Sequence, residues 1–308
     1  MVSAGDDLGL PEPAGRPVAV LGAGTLGRRV ALMFATRGGE VRISDPDAHQ
    51  LGAAVRYVDG ALPEVLAQVE GGRVGRVTAT ADLALAVAGA WLVVEAVPER
   101  LDLKRTLFAR LDALAPPDAV LATNSSSYPS SRLCDVVGRP ERLVNTHFYM
   151  PPERTAVEVM SCGSTDPAVV ALLMRVLPAY GLRPYEVRRE SVGFIYNRIW
   201  AAIKREALAV VEEGVATPQE VDELFELNLG ASRGPFRRMD AVGLDVVLDI
   251  EEHYAAERPG LPEGPRRLLR EMLAAGRLGD KSGGGFYNAT GEPAPDEPPP
   301  PAGPTPGA

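Results

Sequence analysis

The 308-residue sequence predicts a doubly wound α/β domain followed by an all-α domain. In its first half, short runs of β-branched residues alternate with segments of helical periodicity, a pattern typical of a parallel sheet covered by helices. Beyond about residue 190 the strand signals stop, and apolar residues recur at helical spacing. The length also suits two domains, each with its own core, better than one.

The predicted strands and helices can be placed along the chain. Six segments of the first half have the length and composition of strands: Val18–Leu21, Val41–Ser44, Trp91–Val94, Val120–Ala122, Leu143–Thr146 and Ala156–Met160. In the second half, helix starts are predicted at Thr217-Pro218 and at Asp240, and a further helical pattern runs through residues 266–273.

These elements predict two domains and two tails. The α/β domain is predicted over residues 16–189 and the helical domain over residues 190–288. Residues 1–15 and the Pro-rich residues 289–308 lack apolar periodicity, so we expect a flexible N-terminal tail and a disordered C-terminal tail.

Composition argues against several classes of protein. A net charge of −9 disfavours nucleic-acid binding, which needs a basic face. No window approaches the roughly 18 uncharged apolar residues of a membrane helix, and the N-terminus lacks a secretory pattern, so no membrane association and a cytoplasmic location are expected. Cys134 and Cys162 are too few for a disulfide framework and lack metal-ligand spacing, so no metal is predicted.

A glycine-rich turn joins the first predicted strand to the helix that follows it. Its sequence, Gly22-Ala23-Gly24-Thr25-Leu26-Gly27, has the GxGxxG spacing of a Rossmann-type dinucleotide-binding fold. The glycines allow a tight turn, the close approach of a pyrophosphate to a helix N-terminus, and close packing of helix on strand. Taken alone, the motif is also compatible with an ordinary strand-to-helix turn.

Asp45 closes the second predicted strand. It lies at about the ~20-residue offset at which an acid meets the adenosine ribose hydroxyls. Because a carboxylate there repels a 2′-phosphate, the sequence predicts NAD rather than NADP as the cofactor. Pro46 follows Asp45, so a turn aspartate is the alternative, and flavin enzymes and methyltransferases share parts of this opening.

His147 is the best-placed candidate for a general base. It ends a predicted strand at the sheet edge where such folds bind ligands, whereas His49 and His253 lie in polar, helical stretches. Glu158 lies inside the next apolar strand, where a carboxylate needs a partner. A His147–Glu158 pair would fix the imidazole tautomer and raise its basicity, as oxidation of a hydroxyl requires. A structural histidine and an edge-strand glutamate remain the alternative.

Seven segments in one order resemble the 3-hydroxyacyl-CoA dehydrogenase family between about residues 16 and 288. They are Gly22–Gly27, Glu95-Ala96-Val97-Pro98-Glu99, Asn124-Ser125-Ser126-Ser127, His147-Phe148, Glu158-Val159, Gly193-Phe194-Ile195-Tyr196-Asn197-Arg198 and Lys281-Ser282-Gly283-Gly284-Gly285-Phe286-Tyr287. The resemblance is to 3-hydroxybutyryl-CoA dehydrogenases and, more distantly, to L-gulonate 3-dehydrogenase and λ-crystallin. It disfavours the flavin and methyltransferase alternatives.

The resemblance implies NAD-dependent oxidation of a 3-hydroxyacyl thioester in fatty acid metabolism. In this family His147 corresponds to the catalytic base and Glu158 to its orienting partner, while Ser126 and Asn197 correspond to residues that hold the substrate oxygens. The residues implied at the cofactor are Glu99, Lys104 and Asn124, beside Gly22, Gly24, Thr25, Leu26, Gly27 and Asp45. The helical domain is implied to form a homodimer, and the Lys281 segment is interpreted as structural.

The chain departs from the family pattern at two places. Met150 stands where the family usually has asparagine three residues after the histidine, and the interval from His147 to Glu158 is one residue shorter than usual. The stretch between Asp45 and the strand near Val77, a long lysine-bearing helical hairpin in typical members, is short here and contains no lysine. In this stretch, breaks are predicted at Gly60, Pro63 and Gly71-Gly72.

The short stretch leaves the substrate open. It is compatible with an acyl-CoA held elsewhere, with an acyl group on an acyl carrier protein, and with a free 3-hydroxy acid, as in gulonate and carnitine dehydrogenases. A catalytically inactive NAD-binding protein with a structural or regulatory role is the alternative from a different class.

Overall fold

The computed structural model describes residues 9–288, which divide into two compact units between Ile195 and Tyr196. Residues 1–8 of the predicted N-terminal tail, and all of the predicted tail over residues 289–308, lie outside the described residues. The described part of the N-terminal tail contacts the first unit, because Pro11 is buried and Arg142 Nη2 donates a hydrogen bond of 3.4 Å to the carbonyl of Gly9.

The first unit is an eight-stranded sheet flanked by helices. Its strands are β1 (Val18–Leu21), β2 (Glu40–Ser44), β3 (Arg76–Thr80), β4 (Leu92–Glu95), β5 (Val120–Thr123), β6 (Leu143–Met150), β7 (Arg154–Ser161) and β8 (Arg183–Val187). Its helices are α1 (Thr25–Phe34), α2 (Ala48–Leu66), α3 (Leu83–Val87), α4 (Leu101–Leu114) and α5 (Pro167–Val176). The strand order β3-β2-β1-β4-β5-β6-β7-β8 reverses between β1 and β4, the point at which such sheets bind ligands.

Alternate residues of the central strands enter two separate cores. Val18 and Val20 of β1 belong to the cluster that includes buried residues of α1, α2 and α5, whereas Ala19 and Leu21 belong to the cluster with α3 and α4. Because successive side chains of a strand point to opposite faces, the sheet is buried on both sides. The predicted doubly wound α/β fold is confirmed.

The far edge of the sheet is not parallel to the rest. β7 pairs antiparallel with β6, and β8 pairs parallel with β7, so the last two strands run opposite to the other six. The prediction of a parallel sheet is wrong for these strands. It also omitted β8, because the sequence Arg183-Pro184-Tyr185-Glu186-Val187 has the composition of an edge strand or a loop.

Helix α2 corrects the predicted breaks at Gly60 and Pro63. It runs without interruption from Ala48 to Leu66 and contains both residues. Asp47 caps its N-terminus, where the carboxylate accepts hydrogen bonds from the amides of His49 and Gln50. Buried apolar side chains line one face of the helix (Leu51, Ala54, Val58, Leu62 and Val65). Their packing outweighs the roughly 3 kcal/mol that an interior proline costs a helix.

The second unit is helical, as predicted. It contains α6 (Tyr196–Glu212), α7 (Pro218–Leu229), α8 (Pro235–Val242), α9 (Leu244–Glu257) and α10 (Gly264–Ala274). The predicted start of α7 is confirmed, because Thr217 and Glu220 form a capping box and Pro218 occupies the first helical position. Between residues 9 and 288, no helix has the length and hydropathy that crossing a bilayer requires.

Asp240 does not start a helix, contrary to prediction, because it lies inside α8 and is buried. Its carboxylate accepts hydrogen bonds from the backbone amides of Phe286 (3.0 Å) and Tyr287 (2.9 Å) and so attaches the C-terminal segment to α8. Burial raises the pKa of Asp240 to about 6, although both N–H donors favour the charged form.

The raised pKa predicts a pH-dependent stability. A carboxyl whose pKa is higher in the folded state takes up a proton on folding, so its contribution improves as the pH falls through about 6 and is complete below the unfolded value. From pH 7 to pH 5, we expect the wild-type protein to gain about 1 kcal/mol of unfolding free energy relative to Asp240→Asn. Urea unfolding of both proteins at the two pH values measures this. An equal difference at both values would contradict the prediction.

Candidate active site

At two positions of the glycine loop after β1, the backbone leaves no room for a side chain. Gly22 has φ +104°, and a Cβ on it would lie 2.5 Å from the carbonyl oxygen of Ala96. A Cβ on Gly27 would lie 1.8 Å from the carbonyl oxygen of Gly22. At Gly24, the residue that precedes α1, a Cβ would have no atom of the described residues within 4 Å. The loop therefore leaves open space at a helix N-terminus, which fits the pyrophosphate of a dinucleotide.

Asp45 is attached to the same loop. It follows β2 and is half-buried, and its Oδ2 accepts a hydrogen bond of 2.8 Å from the amide of Ala23. Its Oδ1 accepts one of 2.9 Å from the amide of Asp47. Each carboxylate oxygen can accept a second hydrogen bond, so both can also serve ribose hydroxyls.

Lys104 of α4 lies between two carboxylates, that of Glu95 at the end of β4 and that of Glu99 between β4 and α4. Its Nζ lies 2.7 Å from Glu95 Oε1 and 3.0 Å from Glu99 Oε2. Glu95 is fully buried and also accepts a hydrogen bond of 2.6 Å from Thr123 Oγ1. The ammonium of Lys104 thus supplies the partner that a buried carboxylate at the end of β4 requires.

Glu99 binds the segment that follows β5 through hydrogen bonds. Its Oε1 accepts hydrogen bonds from Ser125 Oγ (2.6 Å) and from the amides of Ser126 (3.0 Å) and Ser127 (2.8 Å). Burial alone would raise the pKa of Glu99, but the charge of Lys104 and the hydrogen bonds from Ser125 and Ser127 outweigh it and lower the pKa. Glu99 is therefore ionised at neutral pH and fixes this turn through three hydrogen bonds.

His147 and Glu158 face each other across the antiparallel pair. They are direct register partners on β6 and β7, and His147 Nδ1 lies 3.1 Å from Glu158 Oε2. Both side chains are buried, with 8% and 4% of their surface exposed. The antiparallel register brings the two residues together, so the sequence prediction of this pair agrees with the observed geometry.

Two neighbours enclose the imidazole and its carboxylate. The ring of Phe194 stacks on His147 with a centroid distance of 4.8 Å and an interplanar angle of 18°. The amide of Ile195 donates a hydrogen bond of 2.8 Å to Glu158 Oε1. Phe194 adopts a positive φ of 54°, which is uncommon for a bulky residue. The hydrogen bond from the amide of Ile195 to Glu158 helps to stabilise this backbone conformation.

The other predicted site residues are distributed over both units. Asn124 Oδ1 accepts a hydrogen bond of 2.8 Å from the amide of Phe148, next to His147 in β6. Ser126 has an exposed side chain on the turn held by Glu99. Asn197 is half-buried in the first turn of α6, in the second unit.

Three side chains of this region had no role in the sequence prediction. Glu95 belongs to a family motif and ends the apolar run Leu92–Val94, so the argument applied to Glu158 would have found it. Tyr149 donates a hydrogen bond of 2.7 Å from its hydroxyl to Glu158 Oε2, and its position two residues after His147 was the available signal. For Phe194, no sequence signal indicated the ring stacking.

Metal chemistry has no candidate centre in the described part of the chain. Within residues 9–288, no group of three or more His, Cys, Asp or Glu side chains is arranged to hold a metal ion.

Two family models match most of the chain. A model described as the NAD binding domain of 3-hydroxyacyl-CoA dehydrogenase matches residues 17–191. A model described as the C-terminal domain of 3-hydroxyacyl-CoA dehydrogenase matches residues 193–289.

Named relatives and solved structures agree with these matches. A probable 3-hydroxybutyryl-CoA dehydrogenase of Bacillus subtilis is 31% identical over 283 residues, which cover 89% of this chain and 97% of the relative. An L-carnitine dehydrogenase of Streptomyces coelicolor is 38% identical over 231 residues, which cover 74% of this chain and 71% of the relative. The solved structure of (S)-3-hydroxybutyryl-CoA dehydrogenase from Ralstonia eutropha is similar with a TM-score of 0.79 and 30% identity, covering 89% of this chain and 99% of that chain.

Proposed function

Because this chain belongs to the 3-hydroxyacyl-CoA dehydrogenase family, we propose that it oxidises the 3-hydroxyl group of an acyl thioester to a ketone, or catalyses the reverse reduction, with His147 as the proton acceptor. Membership makes the protein an NAD-dependent oxidoreductase that acts on a CH–OH group. The observation that carries the finer proposal is the buried hydrogen bond of 3.1 Å between His147 and Glu158.

The cofactor is NAD, and the residues of the first unit fit it. The open space at Gly24 would admit the pyrophosphate to the N-terminus of α1, and Asp45 would meet the ribose hydroxyls. By resemblance to the family, we assign the nicotinamide end to the region of Glu99, Lys104 and Asn124. Glu99 and Lys104 follow β4 in the chain, and Asn124 directly follows β5. When bound, NAD would supply the acceptor for the hydride that leaves the carbinol carbon.

His147 performs the matching proton transfer in this proposal. With Nδ1 facing Glu158, the favoured tautomer carries hydrogen on Nδ1 and a lone pair on Nε2. Nε2 therefore accepts the hydroxyl proton, and the carboxylate of Glu158 stabilises the imidazolium that forms. In the reducing direction the same imidazolium donates its proton to the ketone oxygen. Ser126 and Asn197 are assigned to the substrate oxygens by resemblance to the family.

A free 3-hydroxy acid is the second candidate substrate, and three observations favour it. Helix α2 contains no lysine where typical family members use lysines to hold coenzyme A, and Met150 replaces an asparagine near the base. The relative named L-carnitine dehydrogenase shows that the chain is similar to an enzyme named for another type of substrate. An acyl carrier protein remains a third way to present the thioester.

One substrate panel tests the proposed thioester activity. We expect the purified protein to oxidise NADH with acetoacetyl-CoA or with an acetoacetyl-carrier protein, measured by the loss of NADH absorbance. Free 3-oxo acids offered with NADH in the same assay are expected to react at least about tenfold less efficiently, since they lack the binding energy of the thioester arm. Turnover of the free acids alone would contradict the thioester proposal and favour the second candidate.

We further propose a cytoplasmic homodimer. Cys134 and Cys162 are free thiols, as expected in a reducing compartment. The second unit, which forms the dimer in this family, exposes large apolar side chains, among them Leu224, Leu227 and Leu229 of α7. Apolar surface of this kind is typical of a face that another chain covers.

A further inference from the structure

We infer that Tyr149 is a positioning residue of the proposed reaction, because its hydroxyl sets the proton affinity of His147 through their shared partner Glu158. The inference rests on the proposed role of His147 as the base. Tyr149 lies two residues after His147 on β6, so both side chains stand on one face of the sheet. Their ring centroids are 4.7 Å apart.

One carboxylate oxygen serves both rings. Glu158 Oε2 accepts the hydroxyl of Tyr149 at 2.7 Å and lies 3.1 Å from His147 Nδ1. Glu158 Oε1 accepts the amide of Ile195 at 2.8 Å. With only 3% of Glu158 exposed, these donors take the place of water and fix the rotation of the carboxylate.

The sign of the effect follows from competition at Oε2. A phenol that donates to a carboxylate stabilises its negative charge and reduces the electron density available to a second partner on the same oxygen. The imidazolium of His147 is then stabilised less than by an otherwise identical carboxylate without the phenol. Removal of the Tyr149 hydroxyl is therefore expected to strengthen the hold of Glu158 on the imidazolium of His147.

Other titratable groups must be considered for any pH effect. On the face of the sheet that carries Glu158, β8 contributes Arg183 and Tyr185, whereas Arg154 of β7 pairs with Met150 on the other face. Phe194 and Ile195 contribute a ring and an amide without charge. All of these groups are unchanged in Tyr149→Phe, so that variant isolates the loss of one hydroxyl.

Two readouts test the inference on the full-length protein. In Tyr149→Phe, the acidic limb of the kcat/KM profile for oxidation is expected to move up by about half to one pH unit, with KM for NAD unchanged. NMR titration of the ligand-free protein is expected to show the same shift in the pKa of His147. Only three histidines are present, so His147→Asn assigns the signal.

The control is Tyr185→Phe, which removes a phenol from the register partner of Glu158 on β8; Tyr185 is 44% exposed. Its profile and its His147 titration are expected to match the wild type. Profiles and titrations of Tyr149→Phe that superimpose on the wild type would overturn the inference. If instead His147→Asn keeps wild-type activity, the proposed base is wrong, and the NMR titration still shows whether Tyr149 acts on His147.

Discussion

Replacing His147 by asparagine is expected to lower kcat/KM for oxidation by at least about 10²-fold, because a general base contributes roughly 10²–10⁴-fold to such a step. Asparagine keeps an N–H donor for Glu158, so the buried carboxylate retains a partner, but it offers no basic nitrogen in place of Nε2. The fold and NAD affinity should therefore persist. Steady-state kinetics, calorimetric NAD titration and thermal unfolding measure the three properties.

The control for this variant is His49→Asn. His49 lies exposed in the first turn of α2, so its replacement removes an imidazole without touching the site and should leave kcat/KM at the wild-type value. A His147→Asn protein that binds NAD and retains most of the wild-type activity would show that another group moves the proton.

The buried parallel strands and the glycine loop were predictable because local sequence determines them. Buried parallel strands are continuous apolar runs, and the loop needs glycine where no Cβ fits. Helix α2 was not predictable to the same degree, since the propensities of Gly60 and Pro63 favour breaks. The burial of its apolar face overrides them, and burial depends on tertiary partners that a local pattern does not contain.

The site residues likewise divide into those that local sequence indicates and those whose role depends on tertiary partners. Glu158 was a candidate because a carboxylate inside an apolar strand needs a partner, and antiparallel pairing with β6 supplies His147. The direction of β7 could not be read from its own residues, and neither could the contacts that depend on it. The contacts of Tyr149 and Phe194 with the His147–Glu158 pair depend on the register of β6 with β7 and on the positive φ of Phe194. Neither feature can be predicted from local sequence.

Gly27→Ala is expected to weaken NAD binding strongly and to destabilise the first unit. The new Cβ would lie 1.8 Å from the carbonyl oxygen of Gly22, so α1 and the loop must move apart. Overpacking of this kind costs about 1–3 kcal/mol or more, equivalent to a fall in Tm of roughly 2–12 °C or more for a unit of this size. Calorimetry should also show an increase in the Kd for NAD of at least about 10²-fold, since the loop no longer presents its amides in one arrangement.

Gly24→Ala is the matched variant that separates packing from ligand approach. Gly24 has φ −66° and ψ −170°, which alanine adopts without strain, and its Cβ would meet no described atom within 4 Å. The Tm of the ligand-free protein should therefore stay within about 2 °C of the wild type, since the free energy of unfolding should change by less than about 0.5 kcal/mol. The methyl group would nevertheless occupy the space assigned to the pyrophosphate, so NAD affinity should fall by about tenfold or more. Wild-type NAD affinity in Gly24→Ala would place the pyrophosphate away from the N-terminus of α1, whereas a lower Tm would mean that this glycine, like Gly27, is required for packing.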